Sequence, residues 1–395
     1  MSTVKTTNIT HASNSGTANL VLASDGSVTF AGGAAIGTEK GRNLIINGGM
    51  TVAQRGTSST TDGYGSVDRF SVKSSGADEA PTHAQVDVAS GTTPYTLGFR
   101  KALKVTNGNQ TSGAGAGDWM EIGYKIEAQD IANNGWEYIN ASSKITISYW
   151  VKSSVAQTFY GYMFNRDGTI RSYPWSTGSL SADTWTKVTK TIPGYSGLQF
   201  DNDTGAGLEI YFPLFSGTDS TNDSRSLDSW ATHDGAAQTP DHTSTWYTTN
   251  DATFEITGVQ LEVGEAATKF EHKTYAEELR RCQRYYYKIN PAAAGEPIVD
   301  SAWTPFGNKA EGVTVFPVDM RAAPTALEQS GTASDYYILS GSSSETCSAV
   351  PIFTKASQRA VKTEFEVSGG PWNAGHACLP SNKTTSGFLA WSAEL

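Results

Sequence analysis

The stretch ATFEITGVQLEVGEAATKFEHKTYAEELRRCQRYYYKI, residues Ala252–Ile289, decides the fold. It reads as a β-strand, a turn, a short helix and a second, aromatic strand in quick succession. Apolar side chains fall at Phe254 and Ile256, then at Val259 and Leu261, so the alternation slips at Gly258. A glycine at such a slip predicts a β-bulge or a close backbone approach. Thr274 is placed to cap the helix, with Glu277 three residues on to complete a capping box. Arg280, Arg281 and Arg284 fall near its C-terminal end, where positive charge complements the helix dipole. The segment is a seam between two strand-rich halves.

Working outward, the 395 residues suffice for two or three domains with cores of their own. Only 17% are charged and 40 are glycine, which favours an all-β protein with many turns. The balance of 39 acids against 29 bases gives net −10, which argues against a nucleic-acid partner. No run approaches the roughly 20 apolar residues of a bilayer span, so no membrane insertion is expected. The N-terminus has no charged-then-apolar leader pattern, so synthesis in a cytoplasm without export by a signal peptide is expected. Cys282, Cys347 and Cys378 cannot make a disulfide framework; free buried thiols are expected, with a Cys347–Cys378 bridge as the alternative.

Four segments follow. Residues 1–40 read as an arm, with short strands around Leu20–Leu22 and Val28–Phe30 joined at Ala23–Gly26, too poor in apolar residues for a core. Such an arm is either disordered or docked on a partner. Residues 41–273 read as a two-sheet β-sandwich. Its strands are expected near 69–72, 101–106, 119–126, 143–152, 158–165, 185–191, 207–215 and 253–263. In SKITISYWVK, Ile145, Ile147, Tyr149 and Val151 share one face. Residues 274–284 are the connecting helix. Residues 285–395 read as a smaller β domain, closed by the alternating strand around Phe388–Ala393; it folds alone or as part of a trimeric knob.

Catalytic constellations are absent from the sequence: no Gly-x-Ser-x-Gly elbow, phosphate loop or His-Glu-x-x-His helix. No cofactor and no metal site is expected. The densest polar group is HDGAAQTPDH, with His233, Asp234, Asp241 and His242. It reads as a solvated loop, with a metal site or an acid–base pair as alternatives. Asp201 and Asp203 read as a turn closed by Asx bonds, with a cation loop as the alternative. Flat aromatic rings stack on the apolar faces of sugars while polar neighbours take the hydroxyls. Trp136, Tyr173, Trp175, Trp230 and Trp246, with Tyr247, lie in polar loop-like sequence and are the ligand-binding candidates. Each has loop packing as its alternative. Trp303 and Trp372 have the same look near the C-terminus.

One pair of motifs carries a resemblance. NLIINGGM from Asn43 and FEITGVQLEVG from Phe254 resemble the opening and closing strands of jelly-roll carbohydrate-binding modules. Asn43, Leu44, Asn47 and Gly48 match the first strand; Phe254, Ile256, Val259, Leu261 and Glu262 match the last. Thr257 stands where that family has an Asp that often helps hold a structural calcium. Followed by the run Glu277–Tyr286, the same pair resembles bacteriophage tail-fibre and appendage proteins. The resemblance implies a homotrimeric, non-enzymatic virion subunit. Its arm at residues 1–40 would join other tail or neck proteins, and its sandwich would bind a host cell-surface glycan. A purely structural appendage, such as a head decoration or neck protein, is the alternative.

Overall fold

The computed structural model describes residues 41–370 and 372–395, and the backbone of three short strands nearer the N-terminus. Those three, Asn8–Ile9, Leu20–Leu22 and Val28–Phe30, form one antiparallel sheet. Leu22 pairs with Val28 across the expected turn; the rest of the arm lies outside the described residues.

The chain is all-β and its larger part is a jelly-roll sandwich of two six-stranded sheets. One sheet runs in the order Ala231–Thr232, Arg171–Ser179, Thr158–Asn165, Ala206–Ser216, Trp119–Glu127, Phe70–Ser75. The other runs Thr186–Pro193, Lys144–Ser153, Thr253–Val263, Lys101–Thr106, Thr82–Asp87, Ser58–Ser59. Period-2 alternation sends Ile145, Ile147, Tyr149 and Val151 inward from one sheet. They meet Ile122, Tyr124, Ile210 and Phe212 from the other in one core. Each such side chain contributes about 1.5–3 kcal/mol by leaving water.

The slip at Gly258 is a bulge: the ladder to Lys144–Ser153 shifts between Thr257 and Gln260. Gly258 has φ 64°, and a Cβ there would meet the Phe99 ring at 2.6 Å, so only glycine fits. The opening motif lies across this bulge. The Asn43 side chain accepts from the Leu261 amide at 3.0 Å and donates to the Val259 carbonyl at 3.2 Å. Gly48 lies so close that a Cβ would sit 2.0 Å from the Val259 oxygen. Thr257 donates its hydroxyl to the Lys101 carbonyl at 2.7 Å.

One segment expected as loop is strand. Arg171–Ser179 pairs with Thr158–Asn165 along most of its length, although it contains Pro174. Its outer neighbour, Ala231–Thr232, pairs only with Arg171 and Ser172, so at Pro174 the strand is an edge and needs no amide donor.

The helix Tyr275–Cys282 begins at the capping box formed by Thr274 and Glu277. Glu278 accepts the Asn47 amide at 2.6 Å and fixes the helix against the opening loop. Tyr286–Ile289 then pairs with Leu389–Ser392, so the closing strand is tied into a sheet. A seven-stranded sheet completes the C-terminal part, in the order Ser343–Thr346, Tyr336–Ser340, Ala377–Asn382, Ser301–Phe306, Lys309–Val315, Ala360–Glu366, Ile352–Ala356. It packs around Tyr336, Ile338, Phe365 and Trp391. The three cysteines are free thiols.

A dense joint connects the two parts. Arg69 is 1% exposed, yet it pairs with Glu394, donates to the Lys125 carbonyl at 2.6 Å and stacks 3.4 Å over Tyr285. Arg55 stacks 3.6 Å over Tyr286 and reaches the other Glu394 oxygen at 3.3 Å. Arg284 holds Glu127 with two bonds of 2.7 Å, and the Tyr285 hydroxyl adds a third at 2.5 Å. Burial alone would raise the Glu127 pKa; these bonds outweigh it and hold the carboxyl below its ordinary value.

Candidate functional site

The strand Thr158–Asn165 sends Phe159 and Met163 into the core and Tyr160, Tyr162 and Phe164 to the outer face of its sheet. Gly161 sits beneath the Trp175 ring, where a Cβ would approach within 2.5 Å, so the inner face closes without displacing the strand. Tyr162 stands opposite Tyr211 on the neighbouring strand. Tyr211 in turn stands opposite Gly123, and its ring lies over that glycine, 3.0 Å from where a Cβ would be.

These residues build a nearly parallel cluster of rings. Centroids are 5.3 Å apart for Tyr162 and Tyr211, 5.7 Å for Phe164 and Tyr211, and 6.1 Å for Tyr162 and Phe164. The His233 imidazole stacks on Phe164 at 4.9 Å. With Trp119, Glu121, Ser216, Ser220 and Gln238 they line a groove of about 300 Å³.

The electrostatics are uneven. Glu209 accepts from the Tyr211 hydroxyl at 2.6 Å and pairs with Lys125 and Arg166 at 3.3 and 3.4 Å. Glu121 forms no ion pair among the described residues; its one side-chain bond is a 3.5 Å contact from the Tyr162 hydroxyl. Burial pushes its carboxyl up to about 7, against the weaker pull of Lys73 across the ladder. Burial also lowers the pKa of His233, with Arg225 adding to the effect, so the ring is neutral at pH 7. The groove therefore offers flat apolar rings, hydroxyls, an amide and one carboxyl that both donates and accepts near neutrality. That set suits a polyhydroxylated ring with apolar faces.

The loop aromatics singled out from sequence lie elsewhere. Trp136, Tyr173, Trp175 and Trp246 are 3%, 3%, 0% and 0% exposed, so they are core residues. The Trp175 indole donates to the Tyr149 hydroxyl at 2.8 Å, and the Trp246 indole to the Thr253 carbonyl at 3.0 Å. Tyr247 stacks on Phe215 at 4.4 Å. Trp230 is half-buried against Tyr173 and donates to the Pro193 carbonyl at 2.7 Å. These rings pack into the main core of the sandwich or against it, where burying about 150–250 Å² of aromatic surface outweighs the polarity of their sequence neighbours. As binding residues they are corrected; none lines the groove. Trp372 is 8% and Trp303 is 38% exposed, both in the C-terminal part.

The histidine loop is solvated at Asp234–Ala236 and Asp241, while its two histidines are partly buried: His242 lies 5.0 Å from the Tyr160 ring, and burial lowers its pKa to about 3. Among the described residues no group of three or more His, Cys, Asp or Glu side chains is placed to hold a metal ion. Asp203 does close an Asx turn, accepting from the Gly205 amide at 2.8 Å.

Trp119, Glu121, Tyr162, Phe164 and Tyr211 were not read as site residues from sequence. The signal was the alternation itself. In TFYGYMFN both faces carry aromatic rings, whereas WTKVTKTI places Lys187 and Thr189 outward. An outer face of three successive rings is not an ordinary solvated one.

No family model matches the sequence, and no curated protein matches it. Several solved structures are similar in part. The enzymatically active domain of tailspike protein 4 from bacteriophage CBA120 is 11% identical, at TM-score 0.31 over 56% of this chain and 22% of that one. The N-terminal modules of an endo-1,4-β-D-xylanase from Clostridium thermocellum, complexed with xylohexaose, are 10% identical, at TM-score 0.25 over 56% and 30%. The N-terminal cellulose-binding domain of Cellulomonas fimi β-1,4-glucanase C is 12% identical, at TM-score 0.26 over 55% and 99%. The chain thus spans less than a third of the first two. No helix among the described residues is long and apolar enough to cross a membrane.

Proposed function

We propose that this chain binds a glycan in the groove on the outer face of the sandwich, as a subunit of a bacteriophage fibre or appendage that attaches the virion to its host. The observation that supports the binding step is the ring cluster of Tyr162, Phe164, Tyr211 and His233 beside the unpaired Glu121. Binding without hydrolysis fits the lining: Glu209 is held by Lys125, Arg166 and the Tyr211 hydroxyl and does not line the groove, so Glu121 is the one carboxyl a bound sugar would meet there. The virion role rests on the paired opening and closing motifs and the run Glu277–Tyr286. In a trimer, three shallow sites would act at high effective concentration on one cell surface, with the arm at residues 1–40 facing the particle.

The test is adsorption competition. Purified protein of known oligomeric state is added to host cells before the phage. Saturable binding that blocks phage attachment, and that Tyr162→Ala removes, is the expected result. Correctly assembled protein that binds neither cells nor a glycan array would overturn the reading. It would favour the purely structural appendage, which the burial of Trp136, Tyr173, Trp175 and Trp246 already fits as scaffold.

A further inference from the structure

A second cavity, of about 350 Å³, adjoins the aromatic groove, and Ser216 lines both. It opens where the strand Ala206–Ser216 ends. One wall is Ala114, Gly115, Ala116 and Gly217, which bring little or no side chain. A Cβ on Gly217 would lie 2.3 Å from the Gly115 and Ala116 oxygens, so these loops meet backbone to backbone and leave the space unfilled. The opposite wall carries Asp241 and His242. Asp241 accepts from the Thr221 hydroxyl at 2.8 Å, and the His242 Nε2 lies 3.0 Å from the Thr239 hydroxyl.

That wall is fixed in place. Thr221 bridges to Thr239, the Asn222 amide donates to the Thr239 carbonyl at 2.9 Å, and the Asp241 amide donates to Asp223 at 3.1 Å. The two spaces are therefore preformed neighbours of the size ligands use, about 300–1,000 Å³. Their charge is one-sided. No Lys or Arg lines either one; the ionisable acids are Glu121 in the first and Asp241 in the second. Lys73 stands across the ladder from Glu121 but is exposed and lines neither space. A uronic or other anionic sugar would bring like charge against Asp241 in the second space, whereas an ammonium group would find a partner there and, once Glu121 has lost its proton, in the first space as well.

We infer that the two cavities are adjacent subsites for one oligosaccharide containing amino sugars, the aromatic one stacking a pyranose ring and the one beside Asp241 taking the next. This rests on the groove being the glycan site. The test is calorimetric titration of the full chain with glucosamine, the β-1,4-linked glucosamine disaccharide and digalacturonate. The disaccharide is expected to bind at least about ten-fold tighter than glucosamine and at least about ten-fold tighter than digalacturonate. Thr218→Trp, which places a ring in the second cavity, should bring the disaccharide down to the glucosamine level and leave glucosamine unchanged. Asp241→Asn, the conservative change, should narrow the preference over digalacturonate.

Equal affinities for one and two sugars, with Thr218→Trp silent and Tyr162→Ala abolishing binding, would overturn the second subsite and leave the groove standing. Digalacturonate binding as tightly as the glucosamine disaccharide, or no binding of that disaccharide, would overturn the amino-sugar assignment. Tyr162→Ala leaving all binding intact would overturn both the groove and this inference.

Discussion

The joint between the two parts and the groove on the sandwich are built from the same residue kit, tyrosine rings and glutamate carboxyls, with opposite results. In the joint two buried glutamates meet guanidinium groups: Glu394 meets Arg69 and Arg55, and Glu127 meets Arg284. The same cations stack on Tyr285 and Tyr286. In the groove Tyr162 and Tyr211 stack on each other, and Glu121 meets only the Tyr162 hydroxyl at 3.5 Å. Pairing these glutamates makes a rigid seam. Leaving Glu121 without an ion pair beside stacked rings makes a surface that another molecule can complete.

The largest expected effect breaks the joint. Arg69→Ala takes one of two guanidinium partners from the buried Glu394 carboxylate, leaving Arg55 at 3.3 Å, and removes the cation over Tyr285; about 3 kcal/mol of stability should be lost in urea denaturation. A loss under about 1 kcal/mol would mean that the joint is no seam. Next, Tyr162→Ala should weaken glycan binding by about ten-fold or more in array or titration assays. Tyr162 is only 4% exposed, so circular dichroism must show the fold intact, and Tyr162→Phe, which keeps the ring, should retain most of the binding.

The third prediction concerns pH and Glu121. Its folded pKa, about 7, is raised above the ordinary carboxyl value of 4.5, so the native state holds the proton more tightly than the unfolded chain. Stability linked to this group is full below about pH 4.5 and falls as pH rises to about 7. Glu121→Gln should remove that slope and stabilise the protein at pH 8 by about 2 kcal/mol, allowing for solvent screening of a half-buried group. An unchanged slope in pH-dependent thermal melts would sink it. The smallest effect is a control on the outer face of the C-terminal sheet. There Lys362 pairs with Glu311 at 2.7 Å, both partly exposed, and Lys362→Ala should cost under about 1 kcal/mol.

Strands were legible where β-branched and aromatic side chains alternate, even when the second face is also buried, as in TFYGYMFN. Lys101–Thr106, Thr158–Asn165 and Thr253–Val263 fall where alternation placed them, and Thr274 with Glu277 marked the helix start. Arg171–Ser179 was not legible, because Pro174 argues against a strand unless its position at an edge is known, and edges are set by pairing between distant segments. The site failed for a related reason. Trp175 and Trp246 have polar sequence neighbours, but their burial depends on Gly161 and Thr253, which sequence distance hides. Tyr162 and Tyr211 meet only through the register of two strands. Their outward direction was readable from alternation; their stacking was not.

Arg69 and Glu394 are 325 residues apart. A ribosome adds about 5–20 residues per second, so roughly 16–65 s separate the synthesis of one from the other. Throughout that interval Arg69 has no Glu394 to pair with, although every strand of the sandwich, the last being Thr253–Val263, has been made before it ends. The sandwich therefore has all its strands before the joint can close, and holds Arg69 without that carboxylate until the C-terminal part arrives.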